Sequence, residues 1–359
     1  MSLIRLRVGN LRNVRSAELS LCNGANLIVG PNASGKTSLL EAIDCLSRGR
    51  SFRTRIAAQL ISHGESALTL FGRVETGPAR ATALGMELGR TGRVLRRDGQ
   101  TVDTVESHAA TLPVQVMHPQ SHVLVSGPPG VRRAFLDWGV FHVKHGDTRG
   151  WREYGRILRQ RNTLLRQGGS DREILAWDQA LGSTAARLHE ARAAYVSRLK
   201  PLCCRMGEEF LDGASIGLTY RRGWPEAGDL TKVLGDNLGR DRQLGHTGSG
   251  PHRADLQITL SGRSARDYAS RGQQKLIVVV LLLGQLLAFG DSGPVRPTLL
   301  VDDLPAELDP AHRRRVIERF SELRAQVVLT ALERDVMDIS RWNETRVFHV
   351  KHGGLEELL

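Results

Sequence analysis

Residues 30–38 read GPNASGKTS, directly after the apolar run NLIV at 26–29 and leading into TSLLEAIDCLS at 37–47. Gly30, Gly35, Lys36 and Thr37 meet the spacing G-x-x-x-x-G-K-T. Few local patterns restrict a fold as tightly. Backbone N–H groups of such a loop point at phosphate oxygens, and the helix that follows adds the positive potential of its N-terminus. Glycines at both ends let the backbone come close and adopt dihedrals that other residues avoid. Lys36 can reach the β- and γ-phosphates, and the Thr37 hydroxyl can ligate Mg²⁺. The loop as a whole, Gly30, Pro31, Asn32, Ala33, Ser34, Gly35, Lys36, Thr37 and Ser38, is therefore assigned to nucleotide phosphates. The apolar run before it reads as a strand, and the segment after it as an amphipathic helix.

A phosphate cradle of this kind needs a strand that ends in acid. TLLVDDLPAELD at 298–309 supplies one. Leu299, Leu300 and Val301 suit a strand buried on both faces of a parallel sheet. Asp302 stands where a carboxylate holds Mg²⁺, directly or through water, which makes Thr37 and Asp302 the metal-binding pair. Asp303 stands where a general base orients the attacking water. Residues 39–297 lie between cradle and acid. A compact nucleotide kinase places the two much closer, so the nucleotide fold is split by a large insertion.

A third element is SRGQQK at 270–275. Ser270, Arg271 and Gly272 form a polar turn that opens a long apolar helix from Gln273 to about Phe289. A serine and a glycine at a helix N-terminus make an anion site. It lies too near the acidic strand in sequence to belong to the same cradle. Its expected target is the γ-phosphate held by a second subunit.

Composition is compatible with this reading. The chain of 359 residues is 40% hydrophobic and 25% charged, enough to bury a sizeable core. Lys and Arg number 50 against 38 Asp and Glu, a net charge of +12 that favours a polyanionic partner such as DNA. The basic residues are dispersed, with no basic tail. Cys22, Cys45, Cys203 and Cys204 lack zinc-site spacing and read as reduced thiols. The opening MSLIRLRVGNLRNVRS lacks a signal peptide's apolar core, so a cytoplasmic location is expected. LIVVVLLLG at 276–284 is too short for a bilayer, which needs about 20 residues, and reads as a buried helix.

Taken together, these motifs resemble the ABC-type ATPase heads of the SMC-like repair family, and within it the RecF family. The resemblance is carried by residues 4–54, by SGPPGVRRAFLDWGVF at 126–141, by GSGPHRADL at 248–256, by SRGQQK, and by LLVDDLPAELD. It implies an α/β fold: a P-loop ABC-type ATPase head with a split mixed sheet and an inserted helical lobe. Lobe I would comprise 1–125 and 250–359, and lobe II the helical insertion 126–249. Ile174, Trp177, Leu181, Ala185, Leu188, Ala191, Tyr195, Leu199 and Leu202 recur at helical steps. That helix is far too short for an SMC coiled-coil arm. QGGSD at 167–171 reads as the turn between two helices.

The resemblance also implies a mechanism. Two heads close on two ATPs, each held between the cradle of one subunit and Ser270, Gly272 and Gln273 of the other, and the closed homodimer presents a basic surface to DNA. Hydrolysis releases it. Family members act at gaps and junctions of single- and double-stranded DNA with RecO and RecR and help load RecA, in fork recovery and SOS induction. Several positions depart from the usual ABC pattern. Ala33 replaces a frequent Gly, Asp303 replaces Glu, and Thr330-Ala331 stands where many heads carry a switch histidine. Slow hydrolysis, a switch rather than a motor, is expected. Gln120 in MHPQSH is a weak Q-loop match. Arg53 is open to either a nucleotide or DNA contact or a structural role. His118, His122 and His252 are assigned structural roles. The alternatives are an ABC ATPase subunit of a transporter and a small-molecule kinase.

Overall fold

The structure, a computed structural model, describes residues 2–54, 56–77, 79–90, 92–143, 149–290, 295–351 and 353–358. It divides into two compact units. One comprises 1–121 and 289–359, the other 122–288.

The first unit contains two six-stranded sheets. One is antiparallel throughout, in the order Val14–Ser20, Ser2–Leu11, Ala67–Gly77, Arg80–Gly89, Gly92–Arg97, Gln100–Val102. Its strands alternate buried and exposed residues, as in Ala67–Gly77, because one face packs on the core and the other meets water. The second is mixed, in the order Gly354–Leu358, Thr345–Lys351, Ala25–Val29, Gln326–Ala331, Thr298–Val301, Val114–Met117. Only its edge hairpin is antiparallel. Its central strands ANLIV, QVVLTA and TLLV are buried at every residue. That burial explains why they read as mainly apolar runs. The helix Lys36–Arg48 lies in a core shared with both sheets: Leu39, Leu40, Ile43 and Leu46 cluster with Leu6, Leu70 and Leu84 and with Ile28, Leu300 and Val328.

The second unit is mainly helical. Helix Arg149–Gln167 runs into Asp171–Phe210 through the expected turn. Ser170 caps the second helix with a full capping box to Glu173. Ile174, Leu181, Ala185, Leu188, Tyr195 and Leu199 form its buried stripe, while Trp177 is only partly buried. The apolar helix Arg271–Gly290 is long and apolar enough to cross a membrane, yet most of it is buried in the fold.

The observed division differs from the expected lobes. Residues 250–288 fall in the second unit, not with the cradle. Strand Asp255–Leu260 pairs with Ile216–Arg221 in a separate three-stranded sheet. Within the apolar helix, Gln285 donates to Tyr195 Oη and to the Phe135 carbonyl, both at 2.9 Å. A Cβ on Gly284 would stand 2.7 Å from Cys203 Sγ. The SRGQQK segment and the insertion thus share a core that the spacing of motifs along the chain does not reveal.

Candidate functional site

The cradle is set by backbone geometry. Gly30 (φ +152°) and Gly35 (φ +119°) occupy dihedrals closed to other residues, and a Cβ on Gly30 would lie 2.3 Å from the Val350 carbonyl. Ala33 also sits in the left-handed region, at φ +61°. The replacement of glycine there costs about 1 kcal/mol. Asn13, in the turn of the first hairpin, donates to the Ala33 carbonyl at 2.9 Å and accepts from Ser38 Oγ at 3.1 Å. Ser38 therefore braces the loop, and Pro31 and Asn32 stand exposed at its rim.

The polar groups inside the loop are short of partners. Ser34 Oγ is buried with no hydrogen-bond partner. Lys36 is folded back onto the carbonyls of Gly30 at 2.7 Å and Pro31 at 2.9 Å. Burial lowers its pKa, against the attraction of Asp303 and Asp302. A buried ammonium and an orphaned hydroxyl at the N-terminus of helix Lys36–Arg48 fit a polyphosphate.

The acid lies beside them because of sheet order. Strand Gln326–Ala331 separates the cradle strand from Thr298–Val301. Thr37 Oγ donates to the two Asp302 carboxylate oxygens at 2.9 and 3.1 Å, joining residues 265 apart in sequence. A hydroxyl and a carboxylate at this range form a hard oxygen donor set that suits Mg²⁺. The intervening strand contributes Thr330, which is fully buried. Its hydroxyl donates to Asp302 at 2.9 Å and accepts from the Asp303 N–H at 2.9 Å. One hydroxyl thereby orients the Asp302 carboxylate and anchors the Asp303 backbone. Asp303 is held at φ +53°, and its pKa is raised by burial and by Asp302, with Lys36 opposing. The rise is in the direction a general base needs.

Other first-unit residues fall around this centre. Glu41, fully buried on the cradle helix, accepts from Arg12 at 2.9 Å and from Ser51, and pairs with Arg53 at 3.3 Å. Arg53 is thus tied to the cradle helix. Burial lowers the pKa of His118, whose ring meets Phe52 and whose Nδ1 is 3.0 Å from Gln120 Oε1.

In the second unit Ser270, Gly272 and Gln273 are exposed at the start of helix Arg271–Gly290. They form a reciprocal cap: Gln273 N–H donates to Ser270 Oγ at 3.2 Å, and Ser270 N–H to Gln273 Oε1 at 2.9 Å. Each side chain has an acceptor oxygen engaged inward. The Ser270 O–H, the Gln273 amide N–H₂ and the backbone N–H groups of Arg271 and Gly272 remain as donors. A Cβ on Gly272 would meet only Ser270 Oγ, at 4.0 Å. The fold itself does not require glycine there. The other two second-unit motifs close on each other. Arg132 chelates Asp255 at 2.7 and 3.0 Å, and Arg192 chelates Asp137 while donating to the Pro251 carbonyl. His252, whose pKa burial pushes down to about 4, is held between Tyr154 Oη at 2.6 Å and the Thr247 carbonyl at 2.9 Å.

Sequence reasoning missed Asn13, Glu41 and the bridging role of Thr330. Only Thr330 carried a signal, as a polar residue inside the run VVLTA.

Known proteins resemble the chain over nearly its whole length. Residues 2–355 match the RecF/RecN/SMC N terminal domain. The DNA replication and repair protein RecF of Thioalkalivibrio sulfidiphilus is 42% identical over 99% of both chains. That of Cellvibrio japonicus is 41% identical over 98% of both. A solved structure of the recombination mediator protein RecF with ATP, from the RecFOR pathway, superposes with a TM-score of 0.89 at 25% identity, covering 100% of this chain and 98% of that one. An Smc head bound to the C-terminal winged-helix domain of ScpA shares the fold, with a TM-score of 0.61 at 15% identity, covering 100% of this chain and 97% of that one. These likenesses do not favour the transporter subunit. The chain belongs to the RecF family.

Proposed function

We propose that the protein is an ATP-dependent switch of DNA replication and repair, which dimerises on ATP and holds gapped or single-stranded DNA. The observation that carries the reading is the Thr37–Asp302 contact. It brings a phosphate cradle and a metal-binding acid together from opposite ends of the chain. Bound Mg²⁺ would neutralise phosphate charge between Thr37 and Asp302. Lys36 would leave its own loop carbonyls for the phosphates, and Ser34 Oγ would gain a partner. Asp303, fixed by Thr330, would orient and deprotonate water. Its side chain is one methylene shorter than the glutamate usual in ABC heads, which supports slow turnover. The outward donors of Ser270, Gln273 and the first helical turn suit a γ-phosphate presented by a second copy. As in the RecFOR pathway of its structural relative, RecO and RecR are the expected partners, with RecA loading downstream, in the cytoplasm.

Sedimentation with ATP, Mg²⁺ and gapped duplex DNA tests this, with Ser270→Arg alongside. The expected result is an ATP-dependent dimer that travels with the DNA. Ser270→Arg should bind ATP normally as a monomer and fail to dimerise. An ATP-bound monomer indifferent to DNA, or normal dimerisation of the variant, overturns the reading.

A further inference from the structure

Helix Arg149–Gln167 is divided along its length into two opposite faces. Tyr154, Ile157, Arg161 and Leu165 are buried. At about 100° per residue they form one stripe, and Arg156, Arg159 and Arg166 lie across from it, within an arc of about 80°. All three are exposed, and Arg152, also exposed, extends the line toward the N-terminus. Arg156 to Arg166 spans about 15 Å of helix axis. Among the described residues Arg156, Arg159 and Arg166 form no ion pair with an acid. Arg156 lies over the Trp177 ring at 5.9 Å, which limits the orientations of its guanidinium.

Several arginines elsewhere are paired with acids. On the antiparallel sheet Arg5 and Arg7 share Glu18, and Arg96 faces Glu87. Arg319, Arg341 and Arg346 pair with Glu322, Glu318 and Glu357. In those pairs the two charges offset each other. The helix ridge presents a line of uncompensated guanidinium forks, a donor geometry matched to phosphate oxygens.

We infer that the ridge Arg156–Arg159–Arg166 is a docking surface for the phosphate backbone of nucleic acid, read without regard to base sequence. The inference rests on the proposed DNA-linked function and assigns that function a surface. A linear array of point contacts suits a polymer with charge at regular intervals, about one per 1.7 Å of duplex axis. Binding by such a ridge releases condensed counterions, so its signature is the salt dependence of affinity rather than affinity alone.

The test measures affinity for a gapped duplex of arbitrary sequence, with ATP and Mg²⁺, across a salt series. Three proteins are compared: wild type, Arg156→Gln/Arg159→Gln/Arg166→Gln, and a control of equal charge loss, Arg319→Gln/Arg341→Gln/Arg346→Gln. The ridge variant should show a log–log salt slope shallower by roughly 2.7, three phosphate contacts at about 0.9 each, with unchanged ATP binding. The control should keep the wild-type slope. An unchanged slope in the ridge variant overturns the inference and leaves the ridge to an acidic protein partner. An equal change in the control also overturns it, reducing the effect to net charge. Absence of DNA binding by the wild type is a separate outcome and counts against the proposed function itself.

Discussion

The motifs of the first unit and those of the second spend their polar groups in opposite ways. In the cradle, Lys36 rests on loop carbonyls and Ser34 Oγ has no partner. In the second unit, Arg132 is satisfied by Asp255 and a backbone carbonyl, His252 by Tyr154 and Thr247, and Ser270 by Gln273. Resemblance to a family flags both kinds of motif equally. Their hydrogen-bond partners separate a site that waits for a ligand from a scaffold that holds a fold. If the distinction is right, first-unit substitutions should cost ligand and spare stability, and second-unit substitutions the reverse.

The largest effect is expected from Arg132→Met. Arg132 is 6% exposed. Its loss strands the Asp255 carboxylate and removes the donor to the Gly127 carbonyl at 2.8 Å. Breaking a buried pair from one side costs about 3 kcal/mol. The urea midpoint should fall accordingly, while the surviving folded protein binds ATP as the wild type does. A wild-type midpoint together with lost ATP binding would reverse the assignment.

Lys36→Ala is the opposite case. Loss of charge-assisted hydrogen bonds to phosphate should weaken ATP binding about 100-fold in titration calorimetry. Thermal stability without nucleotide should hold or rise, because burial already penalises the charged ammonium, as its lowered pKa indicates. A fall in stability would mean that Lys36 is scaffold and the cradle is not in waiting.

The two kinds of site were also unequally legible. GPNASGKT and VDD could be read from spacing because backbone geometry and metal chemistry restrict residue types over a few adjacent positions. The strand and helix around the cradle followed from apolar runs and their period, and Lys36–Arg48 matches the expected 37–47 to within a residue at each end. Asn13, Glu41 and Thr330 could not be read that way. Each acts through a partner far along the chain, as Thr330 does for Asp302 across neighbouring strands, and no local pattern records which strands are neighbours. The displaced boundary at 250–288 has the same origin. The apolar character of helix 271–290 was plain, but the partners it packs on, Tyr195 and Cys203 among them, were not.

The finest test falls on Ser270, which belongs to both classes. Its oxygen closes the helix cap, and its proton is left for an anion. Ser270→Ala removes the acceptor for the Gln273 N–H and should cost about 1 kcal/mol, since alanine caps poorly. Ser270→Asp caps as well as serine and complements the helix N-terminus, so stability should be kept or slightly improved. Yet aspartate offers acceptors where serine offered a donor, and it places a negative charge where phosphate is expected. The two variants therefore separate the two uses of one hydroxyl. Ala should lower the melting temperature slightly and weaken ATP-dependent dimerisation; Asp should leave melting intact and abolish dimerisation. Should Asp dimerise on ATP as well as wild type, the outward donors are not an anion site, and the SRGQQK turn joins Arg132 and His252 as scaffold.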